Sequence, residues 1–148
     1  IGLQERERSH LLRDLCMALD ESQLFLTYQP QVELATGRVV GAEALLRWRR
    51  DDGSLVPPDR FIPVAEQSGL IVGMGSWLLQ IALLALQRFR AAGFPNMHMA
   101  VNVSPVQLRQ TGFLAVMQEA LRQTQSEASA LEIEITESVA VGGAGACD

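Results

Sequence analysis

Two hydrophobic periodicities alternate along this sequence, and their alternation restricts the possible folds more than any other feature. Some segments have the period of two and the β-forming residues typical of strands, whereas others repeat apolar residues with helical spacing. The strand-like segments are 25–34, 39–48, 98–103 and 131–136. The helix-like segments are 3–19, 76–92 and 105–121, and Gly112 is a candidate break in the last of them. Strands that alternate with helices predict an α/β fold with parallel strands in the sheet.

The turns between these segments refine the topology. A short turn containing Gly37 joins the first two strands, which predicts an antiparallel hairpin. Strand 98–103 runs directly into a helix, because Ser104 and Gln107 have the spacing of a capping box. Ser76 is the predicted N-cap of the earlier helix 76–92, and Gly93 is its predicted C-terminal stop.

Length, composition and charge exclude several classes of protein. The chain has 148 residues, 48% of them hydrophobic, and a formal net charge of -5, which predicts one globular domain. No apolar run is expected to reach the ~18 residues of a membrane span, and the charged start does not resemble a signal peptide. We therefore expect a cytoplasmic domain with no membrane contact and no affinity for a nucleic-acid polymer.

The basic residues and the cysteines exclude further chemistry. All 12 basic residues are arginine, so this chain has no lysine for a Schiff base or a phosphate clamp. Cys16 and Cys147 lie far apart and belong to no CxxC or Cys/His cluster, which argues against a disulfide framework or a zinc site. Helical spacing predicts that Cys16 is a small buried core residue.

Polar residues interrupt three of the predicted strands. Glu43 lies within an apolar strand, Asn102 near the carboxyl end of the next strand, and Glu134 on the polar face of the last strand. Two carboxylates and an amide form a set of hard oxygen ligands that suits Mg²⁺, Mn²⁺ or Ca²⁺ better than zinc. In α/β folds the carboxyl ends of parallel strands are also where ligands bind.

A purely structural interpretation of the same residues remains open. Glu43 would then pair with Arg47 or Arg49, and Glu132 and Glu134 would belong to a solvated face of the sheet. The metal-site interpretation is favoured because a buried unpaired carboxylate is costly and all three strands carry such an interruption.

Six short motifs give the sequence a specific resemblance to the EAL domain family, over residues 24–138. They are YQP, EALLRW, FIPVAE, SGLI, NVS and EITES, beginning at Tyr28, Glu43, Phe61, Ser68, Asn102 and Glu134. The resemblance implies a TIM-barrel-like (β/α) fold whose first strand is antiparallel, in agreement with the predicted hairpin. It also implies hydrolysis of cyclic di-GMP, a bacterial second messenger, with two Mg²⁺ or Mn²⁺ ions.

The resemblance also assigns roles to individual residues. It makes Glu43, Asn102 and Glu134 metal ligands, with Glu43 and Glu137 in the catalytic set because Glu137 orders a loop beside the metals. It makes Gln29, Leu45 and Arg47 contacts to the substrate, the last of them to a phosphate.

The fold implied by the resemblance is larger than this chain. A barrel of eight βα units needs ~250 residues, so we expect an EAL fold truncated after about four strands. The absent half carries an aspartate pair, a lysine, a glutamate and a glutamine in the family, and residues 139–148 match none of them. We expect residues 1–23 to form a helical linker from an upstream sensory or GGDEF-type domain, residues 24–138 to form the half domain, and residues 139–148 to form a flexible tail.

Three functional hypotheses follow from a half domain. In the first, the chain belongs to a working phosphodiesterase; in the second, it is a noncatalytic EAL-like module that senses cyclic di-GMP or docks a partner. In the third, it is stable only as a homodimer, because a half barrel leaves two sheet edges unpaired.

Overall fold

Five strands and five α-helices make up the fold, as a computed structural model that describes residues 2–135 shows. In chain order they are α1 (Gly2–Asp20), β1 (Leu24–Val32), β2 (Val39–Arg49), β3 (Leu55–Val56), α2 (Pro58–Ser68), α3 (Leu70–Ala91), β4 (His98–Val103), α4 (Pro105–Leu108), α5 (Phe113–Gln123) and β5 (Leu131–Ile135). A short 3-10 turn, Ala128–Ala130, precedes β5.

The sheet has the predicted mixture of antiparallel and parallel pairs. Its order is β1-β2-β4-β5, with β3 paired to β2. Strands β1 and β2 form an antiparallel hairpin, whereas β2 pairs with β4, and β4 with β5, in parallel. The antiparallel first strand and the α/β fold are therefore confirmed.

The two faces of this sheet have different characters, which the strand register makes explicit. Glu43 lies opposite Gln29 on β1 and opposite Ala100 on β4, and Asn102 lies opposite Glu134 on β5. Because side chains alternate along a strand, these residues share one face. We call it the polar face.

The opposite face of the sheet forms the main hydrophobic core with α3. Met99 and Val101 on β4 are 0% and 1% exposed, and they pack in one cluster with Ala82, Leu83 and Leu86 of α3. Complete burial of an aliphatic side chain contributes ~1.5–3 kcal/mol. This packing holds α3 against the face of the sheet that is opposite the polar face.

A second hydrophobic cluster joins α1 to the sheet. Leu15 and Ala18 of α1 are fully buried in a cluster that includes Trp48 of β2 and Phe61 of α2. An ion pair of 2.9 Å between Arg50 Nη1 and Asp14 Oδ2 reinforces the contact. Helix α1 therefore packs as an integral part of this domain.

Helix α3 differs from its predicted form in two respects. It begins at Leu70 instead of Ser76, because Gly69 (φ +84°) ends α2 and the buried side chains of Ile71 and Met74 hold the first turns of α3 in the second cluster. Ser76 is thus not an N-cap; its hydroxyl donates a hydrogen bond to the Val72 carbonyl at 3.2 Å inside the helix.

The expectation that no apolar run reaches membrane-spanning length is also wrong for α3. This helix has 22 residues, and an 18-residue window within it has a mean hydropathy of 1.8, which is sufficient for a span by length and composition alone. In this fold Leu79, Ala82, Leu83 and Leu86 are buried against the sheet. A core helix of a soluble protein passes the same test, so hydropathy alone does not distinguish the two cases.

One short element was missed, and two smaller predictions are tested by the structure. The short strand β3 was missed because two residues are too few for a periodic signal. Cys16 is exposed instead of buried, since Leu11, Leu15 and Ala18 occupy the inward side of α1. The capping box of Ser104 and Gln107 is confirmed.

Candidate active site

Glu43 and Asn102 are in direct contact on the polar face. The Nδ2 atom of Asn102 donates a hydrogen bond of 3.0 Å to Oε2 of Glu43. Both side chains are half-buried, and they lie 59 positions apart in the chain. The parallel pairing of β2 with β4 is what brings this carboxylate and this amide together.

Glu134 completes the group from the neighbouring strand. Its pKa is raised, chiefly by burial of the carboxyl group and secondarily by the negative charges of Glu43 and Glu132. A carboxylate whose pKa is raised by neighbouring negative charges favours a bound cation, which would relieve the repulsion. The three side chains therefore fit a hard divalent metal ion as a partial ligand set.

The number of ligands falls short of a complete site. Within residues 2–135 no three His, Cys, Asp or Glu side chains are grouped to hold a metal ion. Mg²⁺ prefers about six oxygen ligands, several of them water or substrate oxygens. The two carboxylates and the amide would thus provide only one side of a metal centre.

The arginines do not neutralise Glu43 in this structure. Nε of Arg47 donates a hydrogen bond of 3.1 Å to Oγ1 of Thr27 on β1, and the guanidinium of Arg49 lies over the Phe25 ring at 4.7 Å. Among the described residues, the ion pairs are those of Arg50 with Asp14 and of Arg122 with Glu119. The structural interpretation of Glu43 as half of an arginine pair is therefore wrong.

The three predicted substrate contacts lie beside this group. Gln29 is exposed and lies opposite Glu43 in the hairpin register, and Leu45 and Arg47 follow Glu43 on the same face. A cavity of about 170 Å³ at this end of the sheet is lined by Leu45, Arg47 and Asn102, with apolar side chains from α2 and α3. The polar face thus has a guanidinium and an apolar recess next to its carboxylates.

Glu137 lies outside the described residues, as does Thr136, so its predicted role remains a prediction. Sequence reasoning missed a different contact, in which Oγ of Ser104 donates a hydrogen bond of 2.5 Å to Oε2 of Glu66 on α2. Glu66 appeared only as the last letter of the FIPVAE motif. A carboxylate on an otherwise apolar helix face is the signal that could have found it.

The sequence and the structure both match a known family. The profile of the EAL domain family matches residues 12–146, so the chain belongs to the EAL domain family. The TIM-barrel-like EAL fold, of which this chain has the first strands, is thereby confirmed.

Three curated relatives illustrate the similarity. The bifunctional diguanylate cyclase/cyclic di-GMP phosphodiesterase MucR of Pseudomonas aeruginosa is 39% identical over 141 residues, 95% of this chain and 21% of MucR. The cyclic di-GMP phosphodiesterase PA2567 of the same organism is 39% identical over 92% of this chain and 23% of its own length. An uncharacterized protein of Mycobacterium tuberculosis is 36% identical over 90% of this chain and 44% of its own.

Solved structures show the same relationship. A complex of the MucR phosphodiesterase with c-di-GMP superposes with a TM-score of 0.82 and 39% identity, covering 93% of this chain and 56% of that chain. The FimX EAL domain of Pseudomonas aeruginosa bound to c-di-GMP, at 24% identity and a TM-score of 0.74, supports the fold alone. This chain therefore spans about a fifth of MucR and PA2567 and about half of the solved MucR domain.

Proposed function

We propose that this chain provides the first half of a cyclic di-GMP phosphodiesterase site. The observation that carries the proposal is the convergence of Glu43, Asn102 and Glu134 on one face of the sheet, with Arg47 beside them. The relatives named as cyclic di-GMP phosphodiesterases support the substrate, as does the MucR structure that contains it.

Metal ions are part of this proposal, because EAL phosphodiesterases are generally metal-dependent. Glu43, Asn102 and Glu134 would hold Mg²⁺ or Mn²⁺, two ions in an intact site, and Glu137 would order the loop that follows Glu134. Bound ions would supply polarisation of the phosphodiester and a lower pKa for an attacking water.

The remaining residues would bind and orient the substrate. Arg47 presents a guanidinium fork that matches a phosphate, and its bond to Thr27 limits the directions in which the fork can point. Gln29 and Leu45 would contact the ligand from either side of Glu43. The phosphodiester would then lie between a cationic side chain and the metal ligands.

A second candidate function is binding of cyclic di-GMP without hydrolysis. The observation in its favour is that no three His, Cys, Asp or Glu side chains within residues 2–135 are grouped to hold a metal ion. In such a sensor Arg47 and Gln29 would hold the ligand, and Glu134 would contribute little.

Calorimetric titration with cyclic di-GMP, in Mn²⁺ and in EDTA, distinguishes the two functions. For the phosphodiesterase site we expect EDTA, Glu134→Ala and Arg47→Ala each to weaken binding, since metal and guanidinium hold the same phosphate. The exposed turn residues Glu33 and Arg38 provide matched controls as Glu33→Ala and Arg38→Ala. Loss on Arg47→Ala alone, with no effect of EDTA or Glu134→Ala, contradicts the phosphodiesterase site and favours the sensor.

A further inference from the structure

Ser104 is the pivot of a polar junction between β4 and α4. It follows β4 directly, lies two residues after Asn102 and is 5% exposed. Its hydroxyl donates to Oε2 of Glu66 at 2.5 Å and accepts from the backbone N–H of Val106 at 3.1 Å. The hydroxyl therefore ties the end of β4 to α2 and to the first turn of α4.

Gln107 of α4 stabilises the same junction and connects it to α3. Its Oε1 accepts a hydrogen bond of 2.9 Å from the backbone N–H of Ser104, and the side chain is 7% exposed. The amide end packs directly on Gly75, where a Cβ atom would lie only 1.7 Å from Nε2 of Gln107. Residues of α2 and α4 thus contact Ser104, and α3 contacts Gln107 through Gly75.

A carboxylate such as that of Glu66 is unusual in a contact that only joins α2 to the end of β4. Its carboxylate is half-buried, and within residues 2–135 it has no arginine at ion-pair distance. A charge in this setting loses hydration, and an apolar side chain would join α2 to the sheet without that cost. What a carboxylate adds is a short, directional, charge-assisted hydrogen bond to one hydroxyl.

The geometry points to Glu66 as a positioning residue for Asn102. By fixing Ser104, Glu66 sets the position at which β4 ends, and hence the position of the Asn102 amide relative to Glu43. Its role toward a bound metal rests on the proposed function, because Asn102 acts as a ligand only there. The positional effect on Asn102 exists with or without metal.

NMR of the 148-residue chain without metal tests the positional effect. The readout is the side-chain NH₂ signal of Asn102, whose hydrogen bond to Glu43 makes it sensitive to small displacements. We expect Glu66→Ala to move this signal, and Glu66→Gln, which keeps a neutral acceptor oxygen, to move it less and in the same direction. If Glu66→Ala does not fold, the shift of the Asn102 signal in Glu66→Gln alone decides whether Glu66 positions Asn102.

The control is Thr124→Val, which removes a buried hydroxyl that donates to the Ala120 carbonyl at 2.8 Å, at the end of α5. It lowers stability without touching the junction, so we expect the Asn102 signal to stay in place. An unmoved Asn102 signal in the Glu66 variants, or an equal movement in Thr124→Val, overturns the inference.

Titration with Mn²⁺, followed by electron paramagnetic resonance, then separates this inference from the proposed function. We expect Glu66→Ala to weaken Mn²⁺ binding about tenfold, the usual effect of removing a group that orients a ligand, and Thr124→Val to leave it unchanged. Equal Mn²⁺ affinity in the wild type and in Glu43→Ala contradicts the proposed metal site, while the NMR result still decides the role of Glu66.

Discussion

Thr27 shows how one neutral side chain can matter to a charged site. Its hydroxyl accepts the hydrogen bond from Nε of Arg47, which leaves the other guanidinium nitrogens free of this contact. We expect Thr27→Val to weaken cyclic di-GMP binding about two- to tenfold, because a single hydrogen bond contributes ~0.5–1.5 kcal/mol. Calorimetry on the folded variant measures the effect.

The matched control for this change is Thr36→Val in the hairpin turn. The Thr36 hydroxyl also accepts one hydrogen bond, from the backbone N–H of Arg38 at 3.2 Å, but far from the metal ligands. An equal loss of affinity in Thr36→Val would show that Thr27 acts only through the stability of the hairpin.

At the scale of elements, the approach of α4 to α3 depends on a single glycine. Gly75→Ala would force a Cβ into the amide of Gln107, so we expect this variant to lower the free energy of unfolding by ~1–3 kcal/mol. Gly73 lies in the same helix, and an added Cβ there would meet nothing within 4 Å. We therefore expect Gly73→Ala to raise the free energy of unfolding by ~0.5–1 kcal/mol. Urea denaturation of both variants checks the pair, and destabilisation of similar size in the two would contradict the packing argument.

Local sequence signals predicted most elements, and tertiary contacts account for those that they missed. The hairpin, the capping box at Ser104 and the shared face of Glu43, Asn102 and Glu134 follow from turn residues and from alternation. The start of α3 was missed because Gly73 and Gly75 weaken helix propensity there, while packing of Ile71 and Met74 overrides it. The Glu66 contact to Ser104 joins residues 38 positions apart, which no local pattern encodes.

For the whole molecule, we expect the 148-residue chain by itself not to hydrolyse cyclic di-GMP at an enzymatic rate. Two carboxylates and an amide cannot hold two metal ions and an attacking water with the accuracy that catalysis requires. Chromatography of the linear product after incubation with Mn²⁺ measures the rate. Turnover that Glu43→Ala abolishes would show that the site is completed in another way.

We also expect the chain to associate as a homodimer. Within the described residues β1 pairs only with β2, and β5 only with β4, so both outer strands have an unpaired edge. Two copies could pair these edges around a two-fold axis and enclose both polar faces. Light scattering over a concentration series should approach twice 16.2 kDa, and a cooperative species that stays at 16.2 kDa would refute the dimer.

The separation of 59 sequence positions between Glu43 and Asn102 also determines when during folding this pair can form. The β1–β2 hairpin closes a short loop, whereas pairing of β2 with β4 must close a loop that contains α2 and α3, at a greater entropic cost. The hairpin therefore forms first and includes Glu43, while the edge of β2 that will pair with β4 is still unpaired. Until β4 pairs with β2, the nascent chain exposes the edge of an apolar strand to which other extended polypeptides can bind. The long connection between β2 and β4, which is needed to form the site, therefore also determines how long the chain is prone to misassembly.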